Sequence, residues 1–286
     1  MATTRSHSAA TPAATASTTH AALAASQGST GQGSVGPCLS AASPALSRRD
    51  ERRQATTQEI KALARRQLEQ NGPGALSLRG IAREMRVAPS ALYRYFASLD
   101  ELVGALCVDA YHSVADALTA ACDARPVEDY ARRWWALCHA YRGWARHSPP
   151  DFALIFGTPV PGYQAPKSVT GPAAGRFVAI LLDVLAGALQ AGAIDPNRTQ
   201  LPDPLPIGPL LHDLLQRAGR DCPPRLAVIG LNAWTSILGY LVAENFGSLR
   251  HLVRDTDQLF DSHVHTVMLG MGFDPALTQT AARPTN

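Results

Sequence analysis

The chain has 286 residues, a formal net charge of +3 and 46% hydrophobic residues, so it can build a substantial core. This composition excludes a chain that is disordered throughout, and the charged fraction of 17% is low for a soluble protein. Residues 1–46 are the exception, because they are almost wholly Ala, Ser, Thr, Gly and Pro, with Arg5 as their single charge. We therefore expect a disordered tail over 1–46 and a folded chain from about Ser47.

This tail could be mistaken for a secretory signal or for a cofactor-binding segment, but the sequence supports neither. The tail lacks the continuous leucine-rich or valine-rich stretch of a secretory signal, so we expect no export. Its Gly31-x-Gly33-x-x-Gly36 spacing matches a dinucleotide-binding loop, but no strand precedes it and no amphipathic helix follows it closely. We therefore expect no cofactor.

Residues 77–96 predict two short helices joined by a tight turn. In the first, Ser77 is an N-cap residue, and apolar residues recur at spacings of three and four at Leu78, Ile81, Ala82 and Met85. Pro89 suits the first position of a second helix, where its missing N–H costs nothing. Leu92 and Phe96 would point inward, which leaves small residues and then long polar ones outside, as a helix in the DNA major groove requires. The outer set is Ser90, Ala91, Tyr93, Arg94 and Tyr95.

A third helix should follow at once, because Ser98 and Glu101 form an S-x-x-E capping box. No proline occurs again before Pro126, so we expect a helix over 100–124. At 1.5 Å per residue this helix would be roughly 37 Å long. That length would let it carry a displacement from a distant pocket to the helix pair.

Residues 76–102, with a preceding helix over 57–71, resemble the N-terminal domain of the TetR family of bacterial transcriptional repressors, most closely in the L-Y-x-x-F motif from Leu92. Residues 141–163 are similar to a subset of actinobacterial-type members. Two positions depart from the family pattern: Arg86 stands where the turn commonly has glycine, and Leu99 where a lysine commonly contacts phosphate. The resemblance implies that DNA is contacted by Ser77, Arg79, Pro89, Ser90, Tyr93, Arg94 and Tyr95.

The charge distribution agrees with this interpretation. Residues 48–97 contain eleven Arg or Lys and five acids, a net charge of +6, so the rest of the chain sums to −3. A positive field is therefore expected on the segment that the pattern assigns to DNA.

The remainder of the chain predicts helices separated by proline and glycine, without convincing strand alternation, so the fold class is all-α. We divide the chain into a tail (1–46), a helix-turn-helix DNA-binding domain (47–97), a helical regulatory and dimerisation domain (98–272) and a flexible C-terminal tail (273–286). Loops are expected over 157–172 and 192–206. The predicted C-terminal helices are 127–147, 150–156, 173–191, 207–218, 225–246 and 257–271.

Residues 226–243 run without a charge for long enough to cross a membrane, but Asn232, Thr235, Ser236 and two glycines interrupt them. We expect burial on all sides instead, and no membrane partner. The family resemblance implies that helices 225–246 and 257–271 pair with their mates in a second subunit. A homodimer would place two recognition helices on a palindromic double-stranded DNA operator.

The resemblance also implies a small-molecule effector that enters the C-terminal helices and shifts the helix over 100–124. An apolar or amphipathic effector would be lined by aromatic and neighbouring side chains, although each of these residues could equally be ordinary core. The candidates are Trp134, Trp135, Cys138, His139, Phe152, Phe156, Phe177 and Trp234.

Other chemistry finds little support. The five cysteines, Cys38, Cys107, Cys122, Cys138 and Cys222, lack C-x-x-C spacing and are interpreted as ordinary buried thiols, with redox sensing as the alternative. Of Asp261, His263 and His265, only the first and last share a helix face, and two ligands do not complete a zinc site, so we expect polar side chains on the protein surface and no metal.

The motifs of nucleophilic hydrolases, zinc proteases and P-loop enzymes are lacking, so we predict no enzyme. The sequence predicts a cytoplasmic, ligand-responsive transcriptional repressor. A helix-turn-helix activator or architectural DNA binder is the alternative, and an enzyme with an undetected site is the remote one.

Overall fold

The computed structural model describes residues 47–157, 160–209 and 223–282. Within these ranges the chain forms ten α-helices and two single-turn 3-10 helices, Pro73–Ala75 and Pro196–Arg198, and no β-strand, so the predicted all-α class is confirmed. The helices are α1 (Arg48–Asn71), α2 (Leu78–Glu84), α3 (Pro89–Leu92), α4 (Leu99–Asp123), α5 (Tyr130–His147), α6 (Pro149–Phe156), α7 (Lys167–Gln190), α8 (Pro224–Asn245), α9 (Thr256–Gly270) and α10 (Pro275–Ala281).

Helix α1 begins nine residues before the predicted helix over 57–71. Ser47 caps it by accepting a hydrogen bond from the Asp50 N–H at 3.2 Å, and Asp50 and Glu51 place negative charge in the first turn. The first buried residue is Ile60. Apolar periodicity could not detect these early turns, because capping and charge stabilise them instead of burial.

Helix α7 also begins earlier than predicted, at Lys167 instead of residue 173, and it contains Pro172. A proline lacks the N–H for a helical hydrogen bond, which is why the sequence pattern favoured a loop there. The predicted helix over 207–218 lies almost wholly outside the described residues, as does the tail over 1–46.

The expected flexible tail from residue 273 is wrong for its first ten residues. Phe273 is buried, Asp274 caps α10 by accepting from the Ala276 N–H at 2.8 Å, and Thr278 and Ala281 are buried. Helix α10 packs against α5 and α9. One aromatic and a few small residues were too short a pattern to predict this docking.

Helix α4 is the central element, since it packs along α5, α6 and α7. Ser98 caps it by accepting from the Glu101 N–H at 3.1 Å, as the capping box predicted. The Glu101 carboxylate accepts from the Ala97 N–H at 2.6 Å, one residue before the N-cap N–H that a standard capping box uses. Eleven of its residues are buried, from Leu102 to Cys122. The helix therefore connects the N-terminal helices to the core of the larger C-terminal part.

Two helices, Ser168–Gln190 and Pro224–Asn245, are long and apolar enough to cross a membrane by length and composition. We interpret both as core helices, since α7 packs along α4 and α8 packs against α5, α6, α7 and α9. Full burial of α8 was expected together with a second subunit, and within the single chain it stays a prediction. One of its faces is exposed and carries Leu231, Asn232, Thr235, Ser236 and Gly239.

Candidate DNA interface and aromatic core

Helix α2 is built as the sequence predicted. The Ser77 hydroxyl accepts a hydrogen bond from the Gly80 N–H at 3.0 Å, and Leu78, Ile81 and Ala82 are buried. Arg79 lies on the exposed side of the helix. Ser77 is only partly exposed, because its hydroxyl is used as the cap.

The turn after α2 uses Arg86 in the left-handed conformation, with φ of 58°. The Val87 N–H bonds to the Ala82 carbonyl at 3.0 Å and the Arg86 N–H to the Arg83 carbonyl at 3.2 Å, which is a Schellman termination. Glycine normally occupies such a position because an L side chain is strained there. The turn therefore keeps its expected geometry although the sequence departs from the usual residue.

Helix α3 is shorter than the predicted segment 89–95, because it ends at Leu92. Beyond it the Tyr95 and Phe96 N–H groups both bond to the Leu92 carbonyl, at 2.8 and 3.0 Å, which tightens the chain into a turn. Leu92 and Phe96 are 1% and 5% exposed and anchor this segment in the core. The residues between the two anchors are therefore turned outward by a compact four-residue helix and a turn.

The predicted DNA-contacting residues of this segment are exposed, with one exception. Pro89, Ser90 and Arg94 are exposed, and Tyr93 is 48% exposed. Tyr95 is half-buried, because it packs against the core, and the Arg53 guanidinium lies over its ring at 5.3 Å from the centroid. The Arg53 Nη2 also donates to the Arg94 carbonyl at 3.3 Å.

The basic residues of the N-terminal part do not all face the same partner. Lys61 is buried and lies 2.8 Å from Asp109 on α4, and Arg65 lies 2.7 Å from Asp151 on α6. Arg66 pairs with Glu84 at 3.4 Å. In the described part of the chain no ion pair involves Arg79, Arg83, Arg86, Arg94 or the four arginines at the start of α1. The net charge alone could not distinguish the basic residues that form ion pairs within the protein from those that remain free of them.

The ion pairs of Lys61 and Arg65 join α1 to the C-terminal helices. Arg65 lies 3.5 Å from Asp109 as well as 2.7 Å from Asp151, so the two cations and two carboxylates form one connected group. The Asp151 side chain is only 12% exposed. This group therefore links α1 to both α4 and α6.

Aromatic side chains from five helices, α4 to α8, meet around Phe156 in the C-terminal part. The centroid of the Phe156 ring lies 5.7–6.5 Å from five other ring centroids. We call this set the aromatic cluster, and its members are Tyr111, Tyr141, Phe152, Phe156, Phe177 and Trp234.

The other predicted effector residues lie elsewhere or make no ring contact with this cluster. Trp135 and His139 stack on one another at 5.1 Å, and His139 meets the edge of Phe260 on α9 at 5.2 Å. Trp134 and Cys138 are buried on α5. Sequence reasoning missed Tyr111 and Tyr141, although Tyr141 follows Trp134 and Cys138 at helical spacing, which was a usable signal.

The described cysteines, Cys107, Cys122 and Cys138, are free and buried, and burial raises the pKa of each thiol, that of Cys107 to about 12. A raised pKa leaves little reactive thiolate, which fits the interpretation as ordinary thiols. Cys38 and Cys222 lie outside the described residues. Asp261 lies 3.1 Å from His139, and no group able to hold a metal occurs in the described ranges.

Comparisons with known proteins cover both parts of the chain. Residues 60–106 match the family of bacterial regulatory proteins of tetR type, and residues 134–267 match a tetracyclin repressor-like C-terminal domain. HTH-type transcriptional regulators of Mycobacterium tuberculosis and Mycobacterium bovis are 34% identical over 222 residues, which span 77% of this chain and 94% of each relative.

Solved structures agree with these matches. The crystal structure of the protein SCO4313 is 33% identical and superposes with a TM-score of 0.61, covering 78% of this chain and 99% of that one. A tetR-family regulatory protein from Rhodococcus RHA1, 17% identical with a TM-score of 0.53 over 76% of this chain and 97% of that one, shares the fold. The chain belongs to the TetR family of bacterial transcriptional regulators.

Proposed function

We propose that this regulator is a ligand-responsive repressor that binds a palindromic DNA operator as a homodimer in the cytoplasm and releases it when a small molecule enters the C-terminal part. The observation that carries the proposal is the exposed side of residues 79–94. Arg79, Ser90, Tyr93 and Arg94 lie there free of ion pairs to described residues, while Leu92 and Phe96 fix the backbone from behind.

These exposed residues suit a duplex. The small Ser90 lets the backbone approach base edges, and the longer Tyr93 and Arg94 can donate hydrogen bonds to phosphate oxygens. Pro89 starts the helix, and Ser77 and Tyr95 support the same surface. Arginines at the start of α1 add positive charge beside it.

The exposed face of α8 supports the homodimer. It carries Leu231 and the uncharged residues after it, and α9 beside it exposes Ser262, Thr266, Leu269 and Gly270. A face of two helices with small and apolar residues and few charges is typical of a subunit interface. We propose that α8 and α9 pair with their mates in a second copy, which would set the spacing of the two recognition segments.

The path from effector to DNA would run through α4 and α6. Both helices contribute rings to the aromatic cluster, and both carry the carboxylates that hold Lys61 and Arg65 of α1. A ligand that binds one arrangement of these helices better than the other would shift the balance between DNA-binding and released forms.

A direct test starts from genomic DNA. Fragments that the purified protein retains are sequenced, and the shared sequence is used in mobility-shift assays together with size-exclusion chromatography. We expect a palindromic operator, a dimer, and loss of the shifted band in the presence of an inducer. An activator would keep its DNA under inducing conditions, and a protein that retains no fragment would contradict the proposal.

A further inference from the structure

Two polar atoms of the aromatic cluster are buried without a hydrogen-bond partner among the described residues: Tyr141 Oη and Trp234 Nε1. Tyr141 is 1% exposed. Burial raises the pKa of the Tyr141 hydroxyl well above its usual value. The neighbouring Trp234 N–H lowers this pKa, but the two groups do not meet the geometry of a hydrogen bond. The hydroxyl therefore stays protonated, so both atoms are available as donors at neutral pH.

Unpartnered buried donors are uncommon, because each loses its hydrogen bonds to water without gaining others. Trp144 differs from Trp234, because its indole N–H donates to the Ser113 hydroxyl at 3.1 Å. Trp144 stacks beside Tyr141, with ring centroids 6.4 Å apart. The Trp144 indole is therefore satisfied, whereas those of Trp234 and Trp134 find no partner among the described residues.

The surroundings of the two donors are aromatic and uncharged. The arginines next to Tyr141 and Phe177 in the sequence are both engaged, Arg142 with Glu244 and Arg176 with Asp116. Neither arginine is therefore free to balance a buried anion at this site. Burying an unbalanced charge is far more costly than burying a neutral polar group.

The position of the Phe156 side chain is where a ligand ring could bind. Phe156 is the last residue of α6, it is half-buried, and its ring touches every other member of the cluster. A planar ring that displaced the Phe156 side chain would meet the same five aromatic faces and edges. It would also lie beside the two rings that carry the open donors.

We propose that the aromatic cluster binds a neutral, planar aromatic molecule with a carbonyl oxygen, whose two lone pairs accept hydrogen bonds from Trp234 Nε1 and Tyr141 Oη. This inference deepens the proposed function and rests on it, because it names the chemical class of the effector.

The first test uses three naphthalenes of matched size: 2-acetylnaphthalene, 2-ethylnaphthalene and 2-naphthoate. Calorimetric titration of the full chain is expected to show binding of the ketone, binding of the hydrocarbon weaker by about tenfold or more, and the weakest binding for the carboxylate. Equal affinity for ketone and hydrocarbon, tighter binding of the carboxylate, or no binding of the ketone overturns the proposal.

The second test uses variants. Tyr141→Phe and Trp234→Phe should each weaken ketone binding about tenfold while leaving the hydrocarbon unchanged. Because Tyr141 donates no native hydrogen bond to the described residues, Tyr141→Phe should not lower the unfolding temperature. Trp144→Phe is the matched control and should keep the preference for the ketone. A Tyr141→Phe protein that is less stable and still prefers the ketone refutes the assignment.

The same samples are assayed for DNA retention without a probe. Protein that retains DNA but does not prefer the ketone refutes this effector class and leaves the repressor proposal standing. Protein that retains no DNA refutes the repressor proposal, and with it the regulatory meaning of the site.

Discussion

The N-terminal helices and the aromatic core handle their polar groups in opposite ways. Around α2 and α3 the polar side chains are exposed, as Arg79 and Arg94 are, while buried apolar residues fix the backbone beneath them. In the core, Tyr141 and Trp234 bury polar atoms that find no partner among the described residues. A surface for a charged polymer needs accessible donors, whereas a site for a small molecule needs donors that water does not occupy.

The largest effect is expected from the exposed side of the N-terminal helices. Arg79→Ala and Tyr93→Ala should each weaken operator binding by about 10- to 100-fold, or about 1–3 kcal/mol, because each would remove a contact to DNA. Neither change should unfold the protein, since both side chains are exposed. Mobility shift against the retained DNA measures the loss. Arg254→Ala, an exposed arginine before α9, is the control, and equal binding by all three variants would contradict the assignment.

A smaller effect is expected where the two regions meet. Asp151→Asn should lower the free energy of unfolding by about 1–3 kcal/mol, because Arg65 would lose its 2.7 Å partner while remaining partly buried. This loss of stability is smaller than for a fully buried pair, since the Arg65 side chain is 28% exposed and also approaches Asp109. Urea denaturation measures it, with Asp116→Asn, whose carboxylate is 67% exposed, as the control. Equal stability of both variants would show that the Arg65–Asp151 pair does not stabilise the contact between α1 and α6.

Acidification tests the polar groups at the α5–α9 contact. Burial lowers the pKa of His139 below its usual 6.5, although Asp261 opposes the shift. The unfolded chain therefore takes up this proton first as pH falls below 6.5, so the free energy of unfolding should decrease from there toward the folded pKa. Arg142 lowers the pKa of Asp257 from its usual 3.8, so protonation of Asp257 affects the free energy of unfolding only at more acidic pH.

His139→Gln should flatten this slope between pH 7 and about pH 5. His251→Gln changes an exposed histidine and serves as the control. Denaturation curves at several pH values measure the slopes. Identical slopes for the wild-type and His139→Gln proteins would contradict the explanation.

The smallest effect is expected at the turn before α3. Arg86→Gly should raise the free energy of unfolding by about 0.5–1 kcal/mol, because relief of the left-handed strain exceeds the entropy that glycine adds to the unfolded chain. Arg83→Gly, an exposed change within α2, should instead destabilise by about 1 kcal/mol. A change of the same sign in both variants would mean that the charge at these positions matters more than the backbone.

Capping and apolar spacing predicted the elements around the DNA interface well. Ser77, Leu92, Phe96 and Ser98 have the burial and hydrogen bonds that their positions in the sequence indicate. The apolar spacing could not predict the early start of α1, because no residue of that helix before Ile60 is buried. It also could not show that α3 ends at Leu92, since the tightening depends on shared hydrogen bonds to one carbonyl.

The core was less predictable because helical spacing tells which residues face inward but not which ones meet. Phe152, Phe156, Phe177 and Trp234 come together as one group, whereas Trp135 packs against His139, and His139 contacts Phe260. That division depends on how five helices cross. The missing hydrogen-bond partners of Tyr141 and Trp234 are a property of three-dimensional packing and have no sequence signature.

The contact between Arg53 and Tyr95 has a practical consequence for handling the protein. Ser47 lies six residues before Arg53 on the same chain, about 9 Å along a helix, so the first 46 residues join the fold beside the exposed segment of α3. An affinity tag or fluorescent fusion attached directly before Ser47 would enter the fold on the side that carries the proposed DNA-contacting residues. The carboxyl end follows α10, which docks on α5 and α9, and attachments made there should leave operator measurements undisturbed.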